Sequence, residues 1–242
     1  MIKAVFFDLD GTLLPMDENT FAMGYMVMLH EKVKRLGYDD RNKMIKTIYM
    51  GAEVMKQNDG SMTNYDAFWK YFATVYGEKS LEDIPVFNEF YGNEFKASKQ
   101  FCEDNPLAKP IVEKARELTG HAILSTNPIF PETATHVRLS FLGLTFDDFD
   151  YVTYYENSYY CKPNPKYFTD LLERFNLKPE EVILFGNDTY EDAECALMAG
   201  IKCYLVGNYI IRNPKATHEF PEIKMEDVIP TMEKEVAQHA ND

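Results

Sequence analysis

The strongest constraint on this chain is a rhythm in which short apolar runs, each closed by a small or polar residue, alternate with stretches of helical periodicity. "KAVFF", "HAILST" ending at Thr126, "EVILFG" ending at Gly186 and "KCYLVG" ending at Gly207 read as short buried strands of the kind found in parallel sheets. Between them, "LAKPIVEKARELTG" keeps Ile111, Val112, Ala115 and Leu118 on one helical face and stops at Gly120. "NPKYFTDLLERFNL" repeats Phe168, Leu171, Leu172 and Phe175 at helical spacing, and "EDAECALMAG" does the same before Gly200. Strands alternating with helices of this length imply βαβ units. The expected fold class is therefore α/β, a three-layer α/β/α Rossmann-like core around a parallel sheet. A fifth strand is expected in "DYVTYYE", residues 150–156, and the tail after Asn213 is expected to wrap the core and end in a short frayed helix.

Residues 16–104 break the rhythm. They hold amphipathic patterns such as Phe21, Tyr25, Met28, Leu29 and Leu36, then Tyr65, Phe68, Trp69, Phe72 and Tyr76, and are read as a helical insertion. The expected division is a core of residues 1–15 and 105–242 and an inserted helical domain over 16–104. Eight of the twelve methionines (16, 23, 26, 28, 44, 50, 55 and 62) fall in the insertion, as gap-fillers of a small core or as an adaptable surface around a ligand.

With 242 residues and 45% hydrophobic composition the chain can bury a large core. A formal charge of −14 disfavours nucleic acid and anionic membranes as partners, so an anionic substrate needs local cations or a metal. The cysteines at 102, 161, 195 and 203 form no CxxC pair and do not cluster with the histidines, which suggests neither a zinc site nor a disulfide scaffold. No run approaches the roughly 18 apolar residues of a membrane span. The expectation is a soluble, cytoplasmic protein with reduced thiols.

In an open parallel sheet the carboxyl ends of the strands share one edge, where ligands bind. The first strand ends in "DLDGT" with Asp8 and Asp10, the second in Ser125-Thr126-Asn127, and a later connection carries Lys162-Pro163. The fourth motif, "GNDTYED", brings Asn187, Asp188 and Asp192. Carboxylates, a hydroxyl and a lysine converging from distant segments suit phosphoryl transfer. A carboxylate can attack phosphorus, a second can move the leaving group's proton, Mg2+ takes oxygen ligands, and lysine and hydroxyl donors offset the phosphoryl charge. Taken singly, Asp10-Gly11 is also a turn signal and Lys162 an ordinary surface lysine. The joint order makes the case.

"DLDGT" after a buried N-terminal strand resembles the first motif of the haloacid dehalogenase-like (HAD) hydrolases, and "LSTN", "CKPNP" and "GNDTYED" follow in the family's order over residues 1–14 and about 105–207. The resemblance implies that Asp8 is the nucleophile and that Asp10 is the general acid and base whose backbone carbonyl meets Mg2+. It implies that Gly11, Thr126, Asn127 and Lys162 lie at the phosphate, and that the insertion is a helical C1 cap closing over a small phosphorylated metabolite. The family's fourth motif usually opens Gly-Asp, whereas this chain has Asn187 there. Two alignments follow: Asp188 as the metal ligand with Asp192 supporting it, which is favoured, or Asn187 in the metal position. The expected activity is Mg2+-dependent hydrolysis of a small phosphate monoester through an aspartyl-phosphate. The alternatives are a phosphomutase, a weakly catalytic binder of a phosphorylated metabolite, and a response regulator of similar topology. Substrate identity and oligomeric state are not legible, and no motif says which of Phe21, Tyr25, Lys43, Lys46 or Trp69 would reach the site.

Overall fold

A computed structural model describes residues 1–239. Its centre is a six-stranded, all-parallel sheet in the order β3-β2-β1-β4-β5-β6. The strands are β1 (Ala4–Phe7), β2 (Ala122–Leu124), β3 (Tyr151–Val152), β4 (Val182–Gly186), β5 (Lys202–Val206) and β6 (Glu222–Ile223). β1, β2 and β4 are buried throughout, as their uniform apolar character requires when helices cover both faces. One face packs Val5, Phe7, Leu124, Ile183 and Phe185 into a large cluster, and the other packs Phe6, Ile123 and Leu184 against Phe168, Leu171 and Ala196. This is the α/β three-layer, Rossmann-like arrangement that the strand and helix rhythm implies.

Between β1 and β2 the chain forms α1 (Glu18–Val33), α2 (Arg41–Lys56), α3 (Asn64–Tyr76), α4 (Ile84–Gly92) and α5 (Ala108–Thr119). Asp17, Asp40 and Thr63 each cap the following helix by accepting a backbone N–H, which explains where α1, α2 and α3 begin. The helices pack through aromatic rings: Phe72 lies 5.2 Å from Trp69 and 5.5 Å from Phe87, centroid to centroid. Later helices are α6 (Glu132–Ser140), α7 (Lys166–Phe175), α8 (Cys195–Met198) and α9 (Val228–His239).

The structure departs from the sequence reading in three places. The strand expected over 150–156 is only Tyr151–Val152, because Tyr154 and the following residues turn away, with Asn157 holding Val152 O and Tyr154 N. The tail adds a sixth strand at Glu222–Ile223 that pairs with β5; it ends in the expected helix, Val228–His239, whose frayed end would lie outside the described residues. "EDAECALMAG" is a π-helical turn over Thr189–Glu194 before the four-residue α8, not one regular helix. Among the described residues, no helix is long and apolar enough to cross a membrane.

Candidate active site

The chain runs from β1 to β2 and β3 on one side of the sheet and returns to β4 on the other, so the carboxyl end of β1 is a topological switch point. Asp8 follows β1 immediately, and its N–H bonds Phe185 O of β4 at 2.9 Å. Its side chain is buried between the two halves of the sheet.

Around Asp8 the sequence-distant groups meet. Lys162 Nζ donates to Asp8 Oδ1 at 2.8 Å and to Asp192 Oδ1 at 2.5 Å, with all three side chains buried. Burial pushes the Asp8 carboxyl up to about 7, against the pull of Lys162 and with the Asp192 charge adding to the rise. Burial would lower the Lys162 ammonium, but Asp192 and Asp8 raise it well above its ordinary value, so it stays charged. Asp192 Oδ2 accepts the backbone N–H groups of Asn187 at 2.9 Å and Asp188 at 3.0 Å, which ties the β4 turn to the lysine. Asp192 packs directly on Gly186: a Cβ there would stand 2.6 Å from Asp192 Cγ.

The other predicted residues fall around this pair. Thr126 lines the same cavity, its carbonyl held by Thr153 Oγ1 at 2.7 Å and Tyr167 Oη at 2.9 Å. Asn127 also lines it, but its amide is engaged in holding the lysine loop: Nδ2 donates to Lys162 O and to Glu191 Oε2, and Oδ1 accepts from Lys162 N. Gly11 adopts φ +76°, and a Cβ there would meet Asn187 Nδ2 at 2.1 Å, so the turn after Asp10 needs glycine on both counts. The two alternatives for the fourth motif are placed differently. Asn187 faces the first motif, with Oδ1 3.3 Å from Thr12 Oγ1. Asp188 Oδ1 instead caps the π-helical turn, accepting from Tyr190 N at 2.6 Å and Glu191 N at 2.9 Å, although the residue still borders the cavity. Burial raises the Asp188 carboxyl and those two bonds oppose it.

Three residues escaped the sequence reading. Arg138, from α6, is fully buried, pairs through Nη1 with Asp10 Oδ2 and lies 4.2 Å from the Phe130 ring centroid. Burial raises the Asp10 carboxyl and Arg138 opposes that rise. Glu18, the first residue of α1, accepts from Asn187 Nδ2 at 3.2 Å; burial, then the charges of Asp10 and Asp8, hold its carboxyl well above the usual range. The Thr12 hydroxyl is 3.2 Å from Asp8 Oδ2. The "DLDGT" pattern could have flagged Thr12, whereas nothing in the spacing of Glu18 or Arg138 distinguishes them from surface charges. Cys161, next to Lys162, is buried and burial pushes its thiol up, consistent with an inert side chain.

A buried carboxylate paired with lysine at the switch point of a parallel sheet, with a second carboxyl two residues on, is the arrangement the resemblance to HAD-type hydrolases implies. The chain belongs to the haloacid dehalogenase-like hydrolase family, whose model matches residues 2–200. It is similar to the ribulose-1,5-bisphosphate 5-phosphatase of Halopiger xanaduensis, 26% identical over 85% of this chain and 84% of that one. It is also similar to the glyceraldehyde 3-phosphate phosphatase of Methanothermobacter thermautotrophicus, 27% identical over 86% and 87%. Among solved structures, a HAD phosphatase from Thermococcus onnurineus shares the fold with TM-score 0.60 at 20% identity, over 96% of this chain and 98% of that one.

Proposed function

We propose that this protein is a Mg2+-dependent phosphatase that opens a small phosphate monoester through an aspartyl-phosphate on Asp8. The observation that carries the reading is the buried Lys162–Asp8 pair at 2.8 Å, with Asp10 two residues on and held by Arg138. The names of the two curated relatives support the reaction class.

In this reading Asp8 Oδ2 attacks phosphorus while Lys162 holds Oδ1, and the phosphorus–oxygen ester bond breaks. Asp10 gives its proton to the departing oxygen, and burial, which favours the protonated acid, supports that role. Water then attacks the aspartyl-phosphate, Asp10 takes the water's proton, and phosphate leaves with Asp8 restored. Thr126 and Lys162 face the phosphoryl oxygens, and Asn127 and Asp192 hold Lys162 in place.

The residues fit a hard cation. Asp8, Asp10, Glu18 and Asp192 outnumber Lys162 and Arg138 at the site, and Asp10 Oδ1 is buried without a hydrogen-bond partner. Asp8, the Asp10 carbonyl and the Asn187 amide oxygen would hold Mg2+, with Asp188 as the carboxylate neighbour. Bound there, it would offset charge between nucleophile and phosphate. The helical segment over 16–104 would act as the cap of the site.

The test is phosphate release from a panel of esters with and without Mg2+, in wild type and Asp8→Asn. Mg2+-dependent release that falls at least ~1000-fold in the variant supports the reading. Release that survives Asp8→Asn sinks it. Phosphate transfer to a sugar in preference to water would point to a mutase.

A further inference from the structure

The cavity above Asp8 measures about 350 Å3 and reaches into the helical segment. This is near the small end of the roughly 300–1,000 Å3 range of small-molecule sites. Away from the acids its wall is rich in rings and a thioether, from Tyr25, Met26, Trp69, Tyr91 and Tyr155, and the Phe130 ring, covered by Arg138, borders it beside Asp10. Among the described lining residues the only cations are Lys162 and Lys56. Lys162 is held between Asp8 and Asp192 at the reacting end, and Lys56 is paired with Glu191. The carboxyl groups of Glu18 and Glu53 also line it, that of Glu18 held well above its usual range by burial.

From this we infer that the physiological ester is a monophosphate with a compact aromatic or aliphatic leaving group, an inference that rests on the phosphatase reading. A second phosphate would enter an enclosure whose cations are already engaged and whose lining carries further carboxyl groups, so its desolvation would go uncompensated. A polyhydroxylated leaving group meets the same difficulty in milder form. The wall away from the acids offers tyrosine hydroxyls but mainly apolar ring area, and each hydroxyl left unpaired costs part of its hydration. An aromatic ring loses little on leaving water and gains edge or offset contacts with Trp69 and Tyr91.

Trp69 is the chain's single tryptophan, is 4% exposed, lines the cavity and donates through Nε1 to Tyr155 Oη at 3.4 Å, so its fluorescence reports on one known place in the wall. The experiment has two arms: kcat/KM for benzyl phosphate, butyl phosphate, a hexose monophosphate and a hexose bisphosphate, and Trp69 fluorescence during titration with benzylphosphonate. Benzyl phosphate is expected to exceed the hexose monophosphate by roughly tenfold and the bisphosphate by roughly a hundredfold, with a saturable Trp69 signal. Trp69→Ala should erase most of the benzyl advantage. A hexose phosphate or bisphosphate preferred over benzyl and butyl phosphate overturns the inference. No turnover of any ester with saturable benzylphosphonate binding would discard the phosphatase reading and support the ligand class. Neither turnover nor binding would overturn both.

Discussion

At the level of single residues, the decisive groups are charges that only other charges make tolerable. Arg138 has no exposed surface, and its guanidinium is satisfied by Asp10, Thr135, Ala134 O and the Phe130 face. Removing one partner of such a pair leaves the other stranded, at a cost of about 3–5 kcal/mol when both are deeply buried and towards the lower end here, because the Asp10 side chain keeps 19% of its surface exposed. Arg138→Met should therefore lower unfolding stability by about 3 kcal/mol in urea titrations, and Arg138→Met with Asp10→Asn should recover most of that loss. Strictly additive effects of the two changes would show that the pair does not act as a unit. Legibility at this scale followed local context. Asp8 and Asp10 stood out because acids rarely end an apolar strand. Arg138 sits in a helical pattern that looks like any amphipathic turn, and its partner is 128 residues away.

At the level of elements, the turn after β4 shows how one segment serves the site and the fold together. Its π-helical stretch, Thr189–Glu194, starts at the Asp188 cap, presents Glu191 and Asp192 to the site, and ends at Glu194. Glu194 anchors the tail by accepting from Thr217 N, Thr217 Oγ1 at 3.0 Å and His218 N at 2.8 Å, with His218 Nδ1 also bonded to Oε1 at 3.0 Å. Burial would raise this carboxyl, but those donors overcome it and pull it down to about 2, from an ordinary value of 4.5. A carboxyl depressed in the folded state stabilises it above the unfolded value and loses that contribution as pH falls from 4.5 through 2. Glu194→Gln should cost about 1–2 kcal/mol at pH 7, and the gap to wild type should narrow as pH falls through 4 towards 3. Urea unfolding of both proteins at the two extremes checks this; a gap of equal size at each would refute the assignment. The sequence pattern showed a helix here, since Ala193, Ala196 and Ala199 keep helical spacing. The extra residue per turn was not visible, because π and α hydrogen bonding draw on the same residue types.

At the level of the whole molecule, the helical segment and the sheet meet across the cavity, and a single ion pair links α2 to the turn after β4: Lys56 with Glu191. Glu191 is also bound by Asn127 Nδ2 at 2.7 Å, so the contact joins the helical segment to the loop that holds Lys162. Loss of this contact should loosen the enclosure without touching the reacting atoms. Lys56→Met is expected to raise KM for the best ester roughly fivefold while kcat stays within about twofold. Equal falls in kcat and kcat/KM would show that Lys56 acts on the chemical step instead.

Amino-acid order alone was enough for the parallel α/β core and for the expectation that Asp8, Asp10, Thr126, Asn127, Lys162, Asn187, Asp188 and Asp192 lie along one sheet edge, where they line one cavity, because this depends on local periodicity and on strand ends that topology must place together. Of the residues in the helical segment that the motifs left undecided, Phe21, Tyr25 and Trp69 line the cavity, while the Lys43 ammonium lies over the Tyr76 ring at 4.5 Å. The Arg138–Asp10 pair, the reach of Glu18 to Asn187, the capping role of Asp188 and the ring-rich wall of the cavity required the folded chain. Each is a relation between side chains far apart in sequence, whose burial and charge partners exist only after the helices have packed against the sheet.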